Sequence, residues 1–548
     1  MKTIFKTISF LLILLLLSCG KNKERENVII GIDSDVQTFN PAFTMTMTEG
    51  NISELMYLGL VGYNWNASIG MLEPYPLLAE KLEWGKDSAY VDIKIQNNAK
   101  WSDGTDITTA DVLFSFDIYS DPDVQSKFFG TFENFELKKN QAIDLEKTFR
   151  IISNKEIRIN FKKGSTPSTF SFDMPLLPGH IFNKIDRKDL INSDLNLKPI
   201  GSGPYVLNEW KKNQYIKLKL NKSSFLAETN SIDELVFKVI PDYNNRIIQL
   251  QNKEIDFLEE LKFGEVKKLK EEKNINIVTV KGRDYDYLGL NNIDPVKFGK
   301  GIIEGNTYFA DSLVRKAITY AIDREMIVDD YLGGFGKPAL TPVAPIFKSI
   351  VDTTIQTYPY SPKIAREILS KAGWTDTNND GFIDKNGKIF SFTLAIQGSN
   401  KLRNEIASII KDNLKQIGID VKIQAYEQSV FIENMFKRKF DAFISGWSVP
   451  IPVDLKPYWN SDLKNNFANT VGYRNKKVDV LLDRMKTRIS VGVLKQLYSE
   501  FQKTIYKESP AVFLFWSDRI VAYNTKIGNA DFSPLGTIHY CWKWRLAH

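Results

Sequence analysis

Segments with a two-residue apolar period alternate along this chain with segments of helical period, and that alternation restricts it to α/β or α+β architectures. Val28-Ile29-Ile30-Gly31-Ile32 reads as a buried first strand. Tyr90 to Ile95 and Tyr215 to Leu220 alternate strictly, as half-buried strands do. Helices are expected over Glu49–Leu60, from Thr109 behind a threonine cap, and over Tyr243–Asn252. Asp284 to Leu290 reads as a strand closing a first region. Beyond it, Leu313, Ala317, Ile318, Ala321, Ile322 and Met326 recur at helical spacing, which predicts one long helix from Ser312 to Leu332. Leu402 to Ile417 repeats the pattern, Gly418 stops it, and Val421 and Ile423 resume a strand. Val512 to Trp516 is continuously apolar, as a buried strand returning to the first region would be.

Large cores must hold such a fold, because disulfides do not. The 548 residues include two cysteines, and one is committed elsewhere. Lys2 and Lys6 precede an apolar run from Ile8 to Leu17 broken only by Ser9. That run is far short of the ~20 apolar residues a membrane-spanning helix needs, so it reads as a secretory signal. Leu16-Leu17-Ser18-Cys19-Gly20 resembles a bacterial lipobox, which implies lipidation of Cys19 after cleavage and a protein anchored on the extracytoplasmic side of a membrane. Gly20 to Asn27 is polar and reads as a tether. Cys541 is left without a partner. The net charge of +6 is too small and scattered to argue for nucleic acid.

Five motifs, in order, carry a family resemblance: Pro76 to Trp84, Ala99 to Val112, Gly201-Ser202-Gly203-Pro204-Tyr205, Val314 to Arg324, and Phe440 to Trp447. Together they resemble the family 5 extracellular solute-binding proteins, which include oligopeptide-, dipeptide- and nickel-binding proteins of ABC importers. The resemblance runs from Val28 to Lys526. It implies a two-lobed α/β fold of the type II periplasmic-binding-protein kind, with a hinge and an inserted α+β subdomain. Residues 1–19 are then signal and 20–27 tether. Lobe I comprises 28–57, 194–287 and 510–548, the insertion 58–193, and lobe II 288–509. Crossovers between lobes are expected near Leu288 to Asn292 and Pro510 to Leu514.

The resemblance also suggests where a ligand sits. Ser445-Gly446-Trp447 ends a strand, and in oligopeptide-binding relatives this segment pairs with the peptide main chain, with Gly446 allowing close approach and Trp447 providing a wall. The alternative is a Gly-Trp turn. In the loop after the first strand, Asp33 and Asp35 are candidates to meet a ligand cation and Val36 to pair with its main chain; the alternative is a solvated acidic loop. Peptide-binding relatives usually carry an Asp three residues after the Trp, to neutralise the ligand's α-ammonium. Here that position is Pro450, and Asp454 replaces it only if the loop is rearranged. A nickel chelate or an oligosaccharide therefore remains an alternative ligand, and a ligand-sensing signalling lipoprotein an alternative role.

Two further segments concentrate polar or aromatic residues at turn spacing. Asp376, Asn378, Asp380 and Asp384, with Gly381, resemble the start of an EF-hand calcium loop, but Gly387 replaces the bidentate Glu, and an Asx-rich turn has the same composition. Trp101-Ser102-Asp103-Gly104 reads as a turn pinned by Asp103 over a buried Trp101. No cofactor is implied. The three histidines, His180, His539 and His548, form no metal-ligand array, and no G-x-S-x-G elbow is present. The expected role is therefore capture, not catalysis: a peptide or other small solute on one side, ABC permease subunits and a membrane anchor on the other.

Overall fold

Val28 and Ile30 are fully buried in the computed structural model, which describes residues 27–228, 231–487 and 489–547. The signal, the tether (apart from Asn27) and the lipidation candidate Cys19 lie outside these residues. Asn27–Ile32 forms a strand that pairs in parallel with Glu234–Val239 and Phe257–Leu258. Both neighbours are buried, so an apolar run without alternation suits this position.

That strand belongs to an 11-stranded sheet. From one edge the order runs Asp420–Tyr426, Ser391–Gln397, Ala442–Ser448, Ile275–Leu290, Ala511–Asn524, Phe257–Leu258, Asn27–Ile32, Glu234–Val239, Tyr215–Leu220 and Tyr205–Lys211, with Gly336–Pro338 pairing off the path to Ala511–Asn524. The sheet serves two lobes, and its two central strands, Ile275–Leu290 and Ala511–Asn524, belong to both. The insertion adds a hairpin, Val61–Asn66 with Met71–Pro76, and a four-stranded antiparallel sheet of Ala79–Trp84, Tyr90–Ile95, Glu156–Asn160 and Phe149–Ile151.

The cores follow the pleat. Leu288, Leu290, Val512 and Leu514 enter one apolar cluster, beneath helices Ser312–Ala321 and Lys401–Lys415. Tyr285, Tyr287 and Phe513 point to the opposite face and join helices Gln428–Phe436, Lys476–Met485 and Val491–Glu508. The insertion and the first lobe share one continuous core, in which Val28 and Ile30 pack with Ile93, Phe116 and Leu177.

The long helix expected over Ser312 to Leu332 is two pieces. Ser312–Ala321 ends at Ile322, and the Asp323 carboxylate then accepts from the Met326 amide at 2.9 Å, capping a new turn. The apolar period continues because Ile318, Ile322, Ile327 and Val328 all face one core. The break lets the buried Arg324 guanidinium reach the carbonyls of Ala339 (2.9 Å) and Tyr358 (2.8 Å). The turn at Trp101 forms as expected: the indole is buried, and Asp103 accepts from the Thr105 amide and pairs with His180 Nε2 at 2.7 Å.

The turn at Gly201-Ser202-Gly203 lies against the end of helix Met47–Met56. A Cβ at Gly201 would sit 2.0 Å from the Met56 carbonyl oxygen, and one at Gly203 2.3 Å from that of Leu55. Ser202 Oγ accepts from the Leu58 amide at 2.9 Å, so this motif fastens the first lobe to the start of the insertion.

Candidate functional site

The two central strands pair as Ile275–Val280 with Arg519–Asn524, and again as Asp284–Gly289 with Ala511–Ser517. Between these blocks the register breaks, leaving Lys281, Gly282 and Arg283 outside the ladder. A Cβ at Gly282 would lie 1.9 Å from the Ser517 carbonyl oxygen, so only glycine lets the chains pass this closely. Lys281 Nζ pairs with Asp518 at 2.6 Å, and the Arg283 guanidinium donates to Ser448 Oγ at 2.7 Å and to the Val449 carbonyl. Both strands extend further toward the first lobe than their sequence suggested, because these residues interrupt the apolar alternation.

The loop after the first strand is organised by Glu49, which is buried. Its carboxylate accepts from the amides of Gln37 and Met45, both at 2.8 Å, and of Thr46 at 3.0 Å. Burial works to raise this carboxyl, but those hydrogen bonds outweigh it and hold it low. Asp35 accepts from the Trp210 indole (3.1 Å), the Asn213 amide (2.7 Å) and the Val36 amide (2.9 Å). Val36 is buried, while Asp33 is exposed and bonds Ser34 Oγ at 2.9 Å. The Glu49 role was open to sequence reading, since Thr46 and Glu49 have capping-box spacing and the box is present.

Ser445, Gly446 and Trp447 lie on Ala442–Ser448, which pairs along its whole length with Asp284–Leu290. On its other edge, among the described residues, a strand covers it only at Ala442 and Phe443. The edge from Ile444 to Ser448 is therefore free of strand pairing. Ser445 is buried, and the Trp447 indole donates to Tyr287 Oη at 3.1 Å and meets the Tyr458 ring at 4.9 Å. The space a side chain would need at Gly446 is filled: a Cβ would lie 2.2 Å from Asp286 Oδ1 and 2.6 Å from an Arg403 nitrogen. Asp286 and Arg403 form a two-pronged ion pair, 2.8 Å at each contact.

Asp454 accepts from the Lys456 amide and pairs with Lys486 at 3.0 Å. In the Asp376 to Asp384 loop, Asp376 accepts from the amides of Asp380 and Gly381, Asp380 from that of Phe382, and Asp384 from Thr377, so these oxygens serve the turn itself. Among the described residues no group of three or more His, Cys, Asp or Glu is arranged to hold a metal ion.

A seam of cavities runs where the insertion hairpin faces the second lobe. The largest, about 600 Å³, lies at the strand break, between Lys281, Gly282 and Trp516 and the side chains of Trp65 and Phe532. A second, about 170 Å³, is shared by Trp65 and Leu72 with Phe347, Ile451 and Tyr498. Two more, about 350 Å³ each, lie beside it: one between Asn134 and Ser168 and the Asp454 loop, the other between Tyr57, Tyr63 and Asp173 and the tip of Ile451. Trp65, Ile451 and Phe170 each line more than one cavity, so the seam is continuous. Of the residues singled out in the sequence, Asp454 lines this seam; Asp33, Asp35, Val36, Ser445, Gly446 and Trp447 do not line these four cavities.

The lobes touch across the seam. The Ser349 amide donates to the Ile69 carbonyl, and Lys348 Nζ to that of Ala67, both at 2.7 Å. Trp65 meets Phe347 edge-on at 6.0 Å, and Thr166 Oγ1 donates to the Lys486 carbonyl at 2.9 Å.

This architecture matches known proteins over almost its whole length. The family model described as bacterial extracellular solute-binding proteins, family 5 Middle, matches residues 73–469. The chain is 30% identical over 534 residues to the oligopeptide-binding protein AppA of Bacillus subtilis, covering 97% of this chain and 93% of that one. The solved structure of that protein in complex with a nonapeptide superposes with a TM-score of 0.74, covering 95% of this chain and 99% of the other. NikZ from Campylobacter jejuni, solved in complex with Ni(L-His), is 25% identical with a TM-score of 0.74, covering 95% of this chain and 99% of that one. With a fold of two lobes on shared central strands, and a family model spanning most of its length, the chain belongs to the bacterial extracellular solute-binding proteins of family 5.

Proposed function

We propose that this protein captures oligopeptides in the seam between its lobes and presents them to the permease of an ABC importer, without catalysing a reaction. The observation that carries the reading is the line of cavities walled by both lobes and ending at the break in their shared strands. A ligand held there contacts both lobes and so favours the closed arrangement over the open one. The peptide-binding relative at 30% identity supports peptide over other solutes. In this scheme the hinge lies at Lys281–Arg283 and Asp518, where the shared ladder breaks, and not at the crossovers expected near Leu288 to Asn292 and Pro510 to Leu514. The strand edge from Ile444 to Ser448 is the surface on which a peptide main chain would pair, with Ser445, Gly446 and Trp447 fixing its course. Asp33, Asp35 and Val36 then act as support on the opposite lobe, and Asp454 at the end of the seam. Lipidation of Cys19 would hold the protein at the membrane, and Gly20 to Asn27 would give it reach.

Native mass spectrometry of the purified protein tests this directly. A ladder of co-purified peptides, with contraction in small-angle scattering when a nonapeptide is added, is the expected result. A single nickel–amino acid complex or sugar, with no response to peptides, would replace peptide by another cargo.

A further inference from the structure

The cavity bounded by Tyr57, Tyr63, Asp173 and Trp542 differs chemically from the rest of the seam. Its walls are largely aromatic, with Tyr75, Phe128 and Phe170 completing them. Two carboxylates also face it. Glu54 is already paired, with His539 Nδ1 at 2.8 Å. Asp173 has no ion pair among the described residues. Lys127, the other cation on the wall, directs its Nζ to Thr44 Oγ1 at 2.6 Å. The buried Tyr63 hydroxyl lies beside Asp173 and acts on its carboxyl, but it brings no positive charge. Burial, and then the charge of Glu54, push the Asp173 carboxyl up to about 7, with His539 and Tyr63 opposing them in part. The carboxylate therefore lacks the counter-charge that its surroundings call for.

Aromatic faces around one unmatched carboxylate are the chemistry that recognises an alkylammonium group. Three residues after Trp447 the second lobe has Pro450, and Asp454 further on is paired with Lys486, so neither offers a free carboxylate there. Ile451, next in that loop, reaches the cavity rim, so a ligand lying in the seam has access to it. We propose that this cavity is a subsite for a primary ammonium group on the ligand, with Asp173 as its counter-charge and the aromatic walls as its cradle. The assignment rests on the reading of the seam as the ligand site. The ammonium comes from a peptide's amino terminus or from a lysine side chain.

The test uses the full-length protein in detergent with three nonapeptides of otherwise equal sequence: one with a free amino terminus and no lysine, one N-acetylated with an internal lysine, and one N-acetylated without lysine. Titration calorimetry should find at least one of the first two binding roughly 30-fold more tightly than the third, the scale set by loss of a buried charge partner. Whichever binds tightly identifies the source of the ammonium. In Asp173→Asn that preference should vanish. Folding is checked separately. A carboxyl whose pKa is raised on folding loses stability as pH rises through that value, so the Asn variant should melt higher than the parent at pH 8. Equal binding of all three peptides by the parent, or an unchanged preference in the variant, would overturn the assignment. If no peptide binds, n-butylammonium is the probe. Thermal stabilisation of the parent by it, absent with n-butanol and absent in Asp173→Asn, keeps the subsite and discards peptide as the cargo. No such stabilisation overturns the subsite.

Discussion

Arg315 shows how much of this fold depends on single buried donors. It is 3% exposed and donates to the carbonyls of Phe309 (2.7 Å), Ala310, Glu508 and Ser509 (each 2.9 Å). Burial lowers its pKa to about 10, still well above neutral. The side chain joins the start of helix Ser312–Ala321 to the end of Val491–Glu508. Arg315→Ala would leave several buried oxygens without donors, at ~1–3 kcal/mol each. Urea unfolding should show a loss of at least about 3 kcal/mol, with Arg315→Lys recovering only part because one ammonium cannot span the same fork. A parent-like midpoint in the alanine variant would refute the role. The motif around Arg315 was legible in the sequence, but its function was not, since its partner Ser509 is 194 positions away. The same limit applied at Gly446: the sequence suggested room there for a ligand's main chain, and gave no sign that Asp286 and Arg403 occupy the space a side chain would need. Glu54 and Asp173 carried no local signal, because only the tertiary fold brings them together.

Elements with an unbroken period were legible to within a residue or two. Tyr90–Ile95 and Tyr215–Leu220 form over the expected residues, and Gly418, with φ of 80°, ends its helix as expected. The Ser312 helix was read too long because both of its pieces face one core, which masks the capped break at Asp323. The hairpin Val61–Pro76 carries no clear period, because Gly70, Pro74 and Pro76 disrupt it; its root packs into the first core through Val61 and Tyr63, and its tip docks on the second lobe. Gly70 makes that docking possible. Its φ is 66°, and a Cβ there would lie 1.8 Å from the Ile346 carbonyl oxygen. Gly70→Ala should lift the hairpin tip away and reduce the closed population. Peptide affinity would then fall by roughly tenfold if the competent fraction falls tenfold. Scattering should report a larger radius, while the unfolding midpoint changes little. Unchanged affinity and radius together would show that the tip is not needed for closure.

For the whole molecule, the decisive feature is that its two lobes are not separate bodies joined by linkers. Ile275–Leu290 and Ala511–Asn524 each start in one lobe's ladder and finish in the other's, and their side chains enter the cores of both. Neither lobe can come apart without stripping two strands from the other. Scanning calorimetry of the ligand-free protein should accordingly give one endotherm, with calorimetric and van't Hoff enthalpies in agreement, where tethered domains would give two. Two resolved endotherms would contradict this. The shared ladder also shapes what evolution can do with the molecule. Cargo preference can drift through the aromatic and charged linings, but swapping one half for a homologue's would leave mismatched hydrogen bonds along both spanning strands, so successful chimaeras should be those whose junctions spare them.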